Sequence, residues 1–238
     1  VNAALEVAGL ARRFGATEAL RGIGFEVEAG ELFGLVGPDG AGKTTAIRCC
    51  AGLVDPDAGT VRVLGGDPRT QETRERLGLM PQRYALYGDL TVEENLRFFG
   101  ELFDVPRDAW AARRARLLDL TRLARFTDRR ADHLSGGMYK KLALACALLH
   151  SPDVLLLDEP TNGVDPVSRR ELWTLLGELV AGGTAVLVST PYMDEAERCH
   201  RVGVIDHGRL LAVGDPAEMA RGDASFESFF LRLVAEAA

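Results

Sequence analysis

The sequence predicts an α/β fold: a parallel-sheet core, a strand-rich N-terminal part and a helical insertion. Three observations carry this reading. The stretch Gly37-Pro38-Asp39-Gly40-Ala41-Gly42-Lys43-Thr44-Thr45 fills every fixed position of the phosphate-cradling loop G-x-x-x-x-G-K-S/T. A second apolar run, Val154 to Leu157, ends in two carboxylates, Asp158 and Glu159, where open α/β sheets place their ligands. Between the two, residues 91–150 have helical texture and no strand-like alternation.

Taken in order, Leu5 to Leu10 and Leu20 to Glu28 are expected as strands joined through Arg12-Arg13-Phe14-Gly15. Phe25 and Val27 alternate with charged residues, as on a half-exposed strand. Leu32 to Val36 is a short apolar run that suits a buried parallel strand, and Lys43 to Ala51, free of Gly and Pro, follows as a helix. Gly59 to Leu64 is a further strand. Thr91 and Glu94 make a capping box, with Val92, Leu96, Phe99 and Phe103 at helical spacing behind it. A second helix is expected over Arg107 to Thr121 and a third from Ser135 to about His150. Val154 to Leu157 returns to the sheet. Asp165-Pro166 starts a helix with Pro at its first position, and Leu172, Leu175, Leu176 and Leu179 supply its buried stripe. Thr184 to Ser189 is a strand and Met193 to His200 a short helix. Val202 to Asp206 and Arg209 to Val213 form a hairpin around His207-Gly208. The tail, Ser225 to Ala235, gathers Phe226, Phe229, Phe230, Leu233 and Val234 on one face. It docks on its own domain or forms a seam to a following one.

Composition narrows the function. At 238 residues and 47% apolar, the chain suffices for one large domain, or a domain with a small appendage. A net charge of −7 argues against a general nucleic-acid binder, which needs a basic face. Cys49, Cys50, Cys146 and Cys199 show no C-x-x-C pairing and read as buried thiols. No apolar run approaches the ~20 residues of a membrane span, and no segment reads as a signal peptide. The start at Val1 is what a cut segment or an unusual start codon gives. His133, His150 and His207 are isolated, so no metal ligand is assigned among them.

The chemistry concentrates in the loop and the carboxylates. A strand, a glycine turn and a helix N-terminus make an anion site, because backbone N–H groups converge there and the helix dipole favours negative charge. Lys43 would reach the β- and γ-phosphates, and the Thr44 hydroxyl would bind Mg²⁺. Neighbouring strand side chains point to opposite faces. The turn at Pro160 is expected to bring Asp158 and Glu159 to the same side. Asp158 then suits the Mg²⁺ shell, and Glu159 suits a base for the attacking water. Leu134-Ser135-Gly136-Gly137-Met138 is a second anion site at the start of a helix. One mononucleotide fold does not need two such sites; a dimer does, if each subunit's second site closes on the other's γ-phosphate.

With these residues the chain resembles the ATPase domain of ATP-binding-cassette (ABC) transporters, from Phe14 to about Pro216. The resemblance implies a P-loop NTPase core with an antiparallel β subdomain and a helical subdomain carrying the Ser-Gly-Gly signature. It makes residues 1–222 the nucleotide-binding domain, with an insertion over about 91–150, and leaves 223–238 as a helical tail. It places Gln82 in the glutamine loop, with catalytic and Mg²⁺-binding roles, and Asp165, in Asn162-Gly163-Val164-Asp165, at the dimer contact. It stacks adenine on Phe14, which taken alone reads as a core residue. It implies ATP, Mg²⁺, a second ABC ATPase domain, and an ABC-2-type permease, with the chain in the cytoplasm on the inner face of the membrane. Met138, where Gln is commoner, and Met193-Asp194-Glu195-Ala196-Glu197 are similar to drug-exporter ATPases. Asp39 resembles the first half of a tandem two-domain exporter. One departure matters most: after Ser189-Thr190, where the family has a histidine on the γ-phosphate, stands Pro191, with no donor. The expectation is a slow site; the alternative is that His200 or water substitutes for the imidazole, against which His200 follows a helix and is expected on its far side. Two rivals are a non-catalytic regulatory half and an ABC ATPase acting on ribosomes or DNA without a permease.

Overall fold

The computed structural model describes residues 3–83 and 86–237. In its N-terminal sheet β1 (Leu5–Phe14) pairs antiparallel with β2 (Thr17–Val27). Both strands run further into the connection than expected, leaving only Gly15-Ala16 as the turn. Arg13 faces Glu18 across the pair and is ion-paired to it. Opposite charges across strands stabilise a ladder whose exposed face carries no apolar alternation to read. β3 (Leu32–Val36) follows, then the phosphate loop and α1 (Lys43–Cys50). β4 (Ala58–Val63) joins the first sheet beside β1. One helical turn, α2 (Gln71–Arg74), capped by Thr70 and not foreseen, precedes β5 (Leu77–Met80).

The insertion is helical. α3 (Val92–Leu102) opens with the full Thr91–Glu94 capping box. α4 (Arg107–Leu120), two 3₁₀ turns, and α5 (Gly136–Leu148) complete it. The sheet resumes with β6 (Val154–Asp158), α6 (Pro166–Ala181), β7 (Ala185–Thr190) and a short α7 (Met193–Ala196). The helix expected to reach His200 stops early, because the His200 N–H donates to Leu32 O at 2.9 Å and the chain is drawn onto β3. β8 (Arg201–Asp206) and β9 (Arg209–Gly214) form the expected hairpin, followed by α8 (Pro216–Met219) and α9 (Phe226–Ala237).

Among the described residues the main sheet runs β5-β6-β7-β3-β8-β9, parallel except for β9. Alternation sorts its side chains between two cores. Leu155, Leu157, Val186 and Val188 face α5 and α6, whereas Leu156, Leu187, Phe33 and Leu35 face α1 and the N-terminal sheet. Phe25 stacks on Phe33 at 5.1 Å and joins the two sheets. Phe226, Phe229 and Phe230 of α9 are buried in the first core, so the tail docks on its own body. Each such burial contributes roughly 1.5–3 kcal/mol. All four cysteines are buried and free, and burial pushes the Cys49 thiol up to about 11 and Cys199 to about 12. The structure has the sheet's C-terminal edge ending in three segments that meet: the loop after β3, the carboxylates after β6 and Pro191 after β7.

Candidate nucleotide site

The phosphate loop is shaped by two glycines that nothing else can replace. A Cβ at Gly37 would lie 2.0 Å from Ile205 O. Gly42 has φ 110, and a Cβ there would lie 2.5 Å from Ala19 O. L side chains are disfavoured at such φ values. Gly42 caps α1 without a side-chain hydrogen bond, so the first-turn N–H groups remain available to an anion. Lys43, almost fully buried, donates from Nζ to Gly37 O at 2.8 Å and Pro38 O at 2.9 Å, and stands 3.5 Å from Glu159 Oε1.

The carboxylates do share a side, but the turn lies one residue earlier than expected. Glu159 itself adopts φ 47, a left-handed conformation that a non-glycine residue takes at a cost. Its N–H is held by Ser189 O at 3.2 Å and Ser189 Oγ at 3.0 Å. Its Oε2 accepts from Gln82 Nε2 at 2.8 Å and Asn162 Nδ2 at 3.2 Å. The Gln82 amide nitrogen is thus engaged with Glu159. Asp158 Oδ1 accepts from Thr44 Oγ1 at 3.1 Å and from Ser189 Oγ at 2.7 Å.

The fit to Mg²⁺ follows from these donors. Thr44 and Asp158 offer hard oxygens side by side. Mg²⁺ takes one or two carboxylates together with substrate phosphates and water. Among the described residues no cluster of three or more His, Cys, Asp or Glu could hold a metal by itself.

A cavity of about 380 Å³ opens over the loop, lined by Thr17, Ala19, Gly42, Lys43, Thr44, Glu159 and His207 among others. Larger clefts of about 780 Å³ beside Trp110 and about 630 Å³ between α4, α5 and α6 contain none of these groups. Phe14 stands at the end of β1, two residues before the cavity wall begins, and is 47% exposed. The reading of Phe14 as a core residue is therefore corrected: its ring is open to solvent, with the Arg12 guanidinium 4.8 Å from the centroid. Pro38, Asp39, Gly40, Ala41 and Thr45 lie in the loop and first turn as expected.

Pro191 directly follows β7, which lies between β6 and β3. The carbonyl of Thr190 accepts from Gly37 N–H at 3.4 Å. Position 191 thus lies between the loop and Glu159. His200 cannot stand in for an imidazole there. Its Nδ1 accepts from Leu32 N–H at 3.3 Å, at the opposite end of β3, and five strand residues span about 15 Å.

Ser135, Gly136, Gly137, Met138 and Asp165 gather elsewhere, and none lines the cavity. Ser135 caps α5, accepting from Met138 N–H at 3.4 Å. Ser135 and Gly136 are exposed, whereas the Met138 side chain packs on the core and is not presented outward. Asp165 caps α6 through Val167 and Ser168 N–H groups, both at 3.0 Å. Hydrogen bonds from Ser168 hold its carboxyl below the usual range.

Sequence reasoning missed Ser189, Asn162 as a partner of Glu159, and Lys140, whose Nζ donates to Gln82 O at 3.2 Å. Burial pushes the Lys140 ammonium down, and Asp158 and Glu159 pull it back. A Ser-Thr pair closing the apolar strand Ala185 to Val188 was the available signal for Ser189.

This arrangement defines a P-loop ATPase: a phosphate loop, a hydroxyl–carboxylate pair beside it, and a buried glutamate held by a glutamine and a serine. Residues 20–162 match the ABC transporter family, and the chain belongs to that family as an ATP-binding, ATP-hydrolysing domain. It is 47% identical over 224 residues to "Probable multidrug ABC transporter ATP-binding protein YbhF" of Escherichia coli (strain K12), covering 92% of this chain and 39% of that one. The chain thus spans about two fifths of that relative's length. It is 44% identical over 222 residues to Nod factor export ATP-binding protein I of Paraburkholderia xenovorans, covering 92% and 73%. A solved ATP-binding subunit of an ABC transporter superposes with TM-score 0.87 at 31% identity, covering 97% and 99%. Clostridium perfringens cbiO1, described as part of the ABC transporter complex cbiONQ, superposes with TM-score 0.84 at 28% identity, covering 93% and 92%. No helix among the described residues is long and apolar enough to cross a membrane.

Proposed function

We propose that this chain powers a membrane exporter of drugs or other hydrophobic compounds by ATP-driven head-to-tail dimerisation with a second ABC ATPase domain. The observation that carries the proposal is the separation of two anion sites. Lys43 and Glu159 line the cavity, with Asp158 bonded to Thr44 and Gln82 to Glu159, while Ser135 and Gly136 stand exposed and do not line it. A signature with no role in its own site has a role in a partner's. Each γ-phosphate then satisfies two helix N-termini at once, so binding draws two domains together.

Within the site, Lys43 and the loop N–H groups hold the phosphates. Glu159, oriented by Gln82, Asn162 and Ser189, accepts the proton of the attacking water. Thr44 and Asp158 would hold Mg²⁺, which when bound neutralises charge on the phosphate oxygens. Pro191 supplies no donor, so this site turns over slowly, while Ser135-Gly136-Gly137 completes a faster site on a partner that has the histidine. Asp165 serves the dimer contact. An ABC-2-type permease on the inner face of the membrane takes up the motion. The exporter class follows the names of the relatives. The regulatory-half reading draws on the same Pro191, but intact Lys43 and Glu159 favour slow turnover over none.

The test is the oligomeric state of Glu159→Gln with Mg²⁺-ATP by size-exclusion chromatography with light scattering. A dimer that Ser135→Arg abolishes is expected; a monomer throughout would refute the head-to-tail reading. In the complete transporter, Ser135→Arg should lower ATPase more than Glu159→Gln, and the reverse order would sink the asymmetric site. Purification should bring down a permease rather than ribosomes or nucleic acid.

A further inference from the structure

The face that carries the signature is held by charges that the nucleotide chemistry leaves unused. Gly137 packs directly on α6: a Cβ there would lie 2.3 Å from Ser168 Oγ and 3.3 Å from Asp165 Oδ2. One turn further along α5, Lys141, 7% exposed, ion-pairs with Glu171 Oε2, about one turn beyond Ser168 on α6. The other oxygen, Glu171 Oε1, accepts from Arg122 Nη1 at 2.7 Å. Arg122 lies just past α4 in a left-handed conformation, φ 57. One carboxylate of α6 therefore ties α5 and the end of α4. The flanking cleft brings Arg116, Asp119, Arg170 and Glu178 around the pair.

The apolar residues of α5, Leu142, Leu144 and Cys146 among them, are already buried. Burial of that kind holds a helix down but is non-directional. A directional, partly buried ion pair fixes a point. Lys141 is six residues from Ser135, about 9 Å along the axis at 1.5 Å per residue. A tilt of about 10° pivoting at Lys141 would displace Ser135 by about 1.5 Å, and a misplacement of about 1 Å can cost 10²-fold in an oriented reaction.

We propose that Lys141 and Glu171 are positioning residues that set α5 on α6, and so hold Ser135-Gly136-Gly137 at the angle needed to meet the ATP of a second domain. This rests on the head-to-tail reading above. The pair acts on the partner's site and leaves the chain's own cavity alone, and that split separates it from a general stabilising contact.

The test uses the full chain with Glu159→Gln as parent, adding Lys141→Met, Glu171→Gln or Lys141→Arg. Two quantities are measured: affinity of the single chain for a fluorescent ATP analogue, and ATP-dependent dimerisation by sedimentation. Lys141→Met and Glu171→Gln should keep nucleotide affinity within twofold and weaken dimerisation at least tenfold. Lys141→Arg, which keeps the charge, should recover most of it. Glu171→Gln is isosteric and at a partly exposed position, so it tests the proposal even if Lys141→Met misfolds. Dimerisation equal to the parent in both variants overturns the proposal. So does a loss of nucleotide affinity parallel to the loss of dimer, which marks a structural contact. A parent that stays monomeric removes the head-to-tail reading itself, and the proposal falls with it.

Discussion

Pro191→His tests the slow-site proposal at a single donor. β7 lies between β6, which leads into Glu159, and β3, which leads into the phosphate loop. The two residues before Pro191 already serve both neighbours: Ser189 holds the Glu159 N–H and the Thr190 carbonyl accepts from Gly37. A ring N–H placed next along the chain points at the space those neighbours share. One donor aimed at developing charge is worth about 10²–10³ in kcat, or about 2.7–4 kcal/mol. The fold should tolerate the change. The hydrogen bonds that shape this loop, Thr190 Oγ1 to Glu195 at 2.6 Å and Tyr192 N–H to Thr190 Oγ1 at 3.1 Å, belong to its neighbours. Losing proline's constraint on the unfolded chain costs about 0.4–1 kcal/mol, a melting-temperature drop of about 1–4 °C for a domain this size. The assay is phosphate release at saturating Mg²⁺-ATP for wild type, Pro191→His, Pro191→Ala and Pro191→His with Glu159→Gln. The histidine variant should gain about 10²-fold in kcat with KM within threefold. The alanine variant should match wild type, and the double variant should be inactive. The reasoning is refuted if wild type already turns over at about 1 s⁻¹ or faster and histidine adds nothing, or if alanine gains as much as histidine.

Three further outcomes are expected. Ser189→Ala removes a buried donor from Asp158 and an acceptor from the Glu159 N–H. It should cost about 1–3 kcal/mol in urea unfolding and lower turnover; a change below about 0.5 kcal/mol, typical of ordinary surface sites, would contradict the geometry. Gly137→Ala should abolish ATP-dependent dimerisation in the Glu159→Gln background without loss of nucleotide affinity. Gly136→Ala should be milder, because its Cβ would meet Gly163 O at only 3.4 Å. Burial drives the His150 imidazole below its ordinary 6.5, against the pull of the Leu77 carbonyl. The unfolded chain then binds the extra proton, so this stability is fully present above pH 6.5 and lost as pH falls toward the folded value. His150→Gln should flatten that part of the stability–pH curve, and an unchanged slope would locate the acid sensitivity elsewhere.

What could be read from the sequence was what is local. The glycine spacing, the Thr91–Glu94 box, the Asp165-Pro166 start and the apolar strands each declare themselves within a few residues. The missed features join distant segments. Ser189 looks like an ordinary strand-end hydroxyl until β7 is placed beside β6, where it takes both the Asp158 carboxylate and the Glu159 N–H. The same pairing explains why the turn was put at Pro160: sequence shows the proline, but Ser189 stabilises the left-handed Glu159 one residue before it. Lys141 and Glu171 are 30 residues apart and on different helices; each alone is an unremarkable charge on an amphipathic surface. His200 shows that proximity in sequence does not decide proximity in space. It stands nine positions from Pro191, yet the chain between them runs back along β3 and β7 through α7, so that His200 meets β3 at Leu32 rather than at Gly37. In a parallel sheet the residues after strand C-termini form the site and those before strand N-termini face away from it. That polarity, more than spacing, decides that Pro191 lies at the phosphate-loop end of the sheet and His200 at the opposite end.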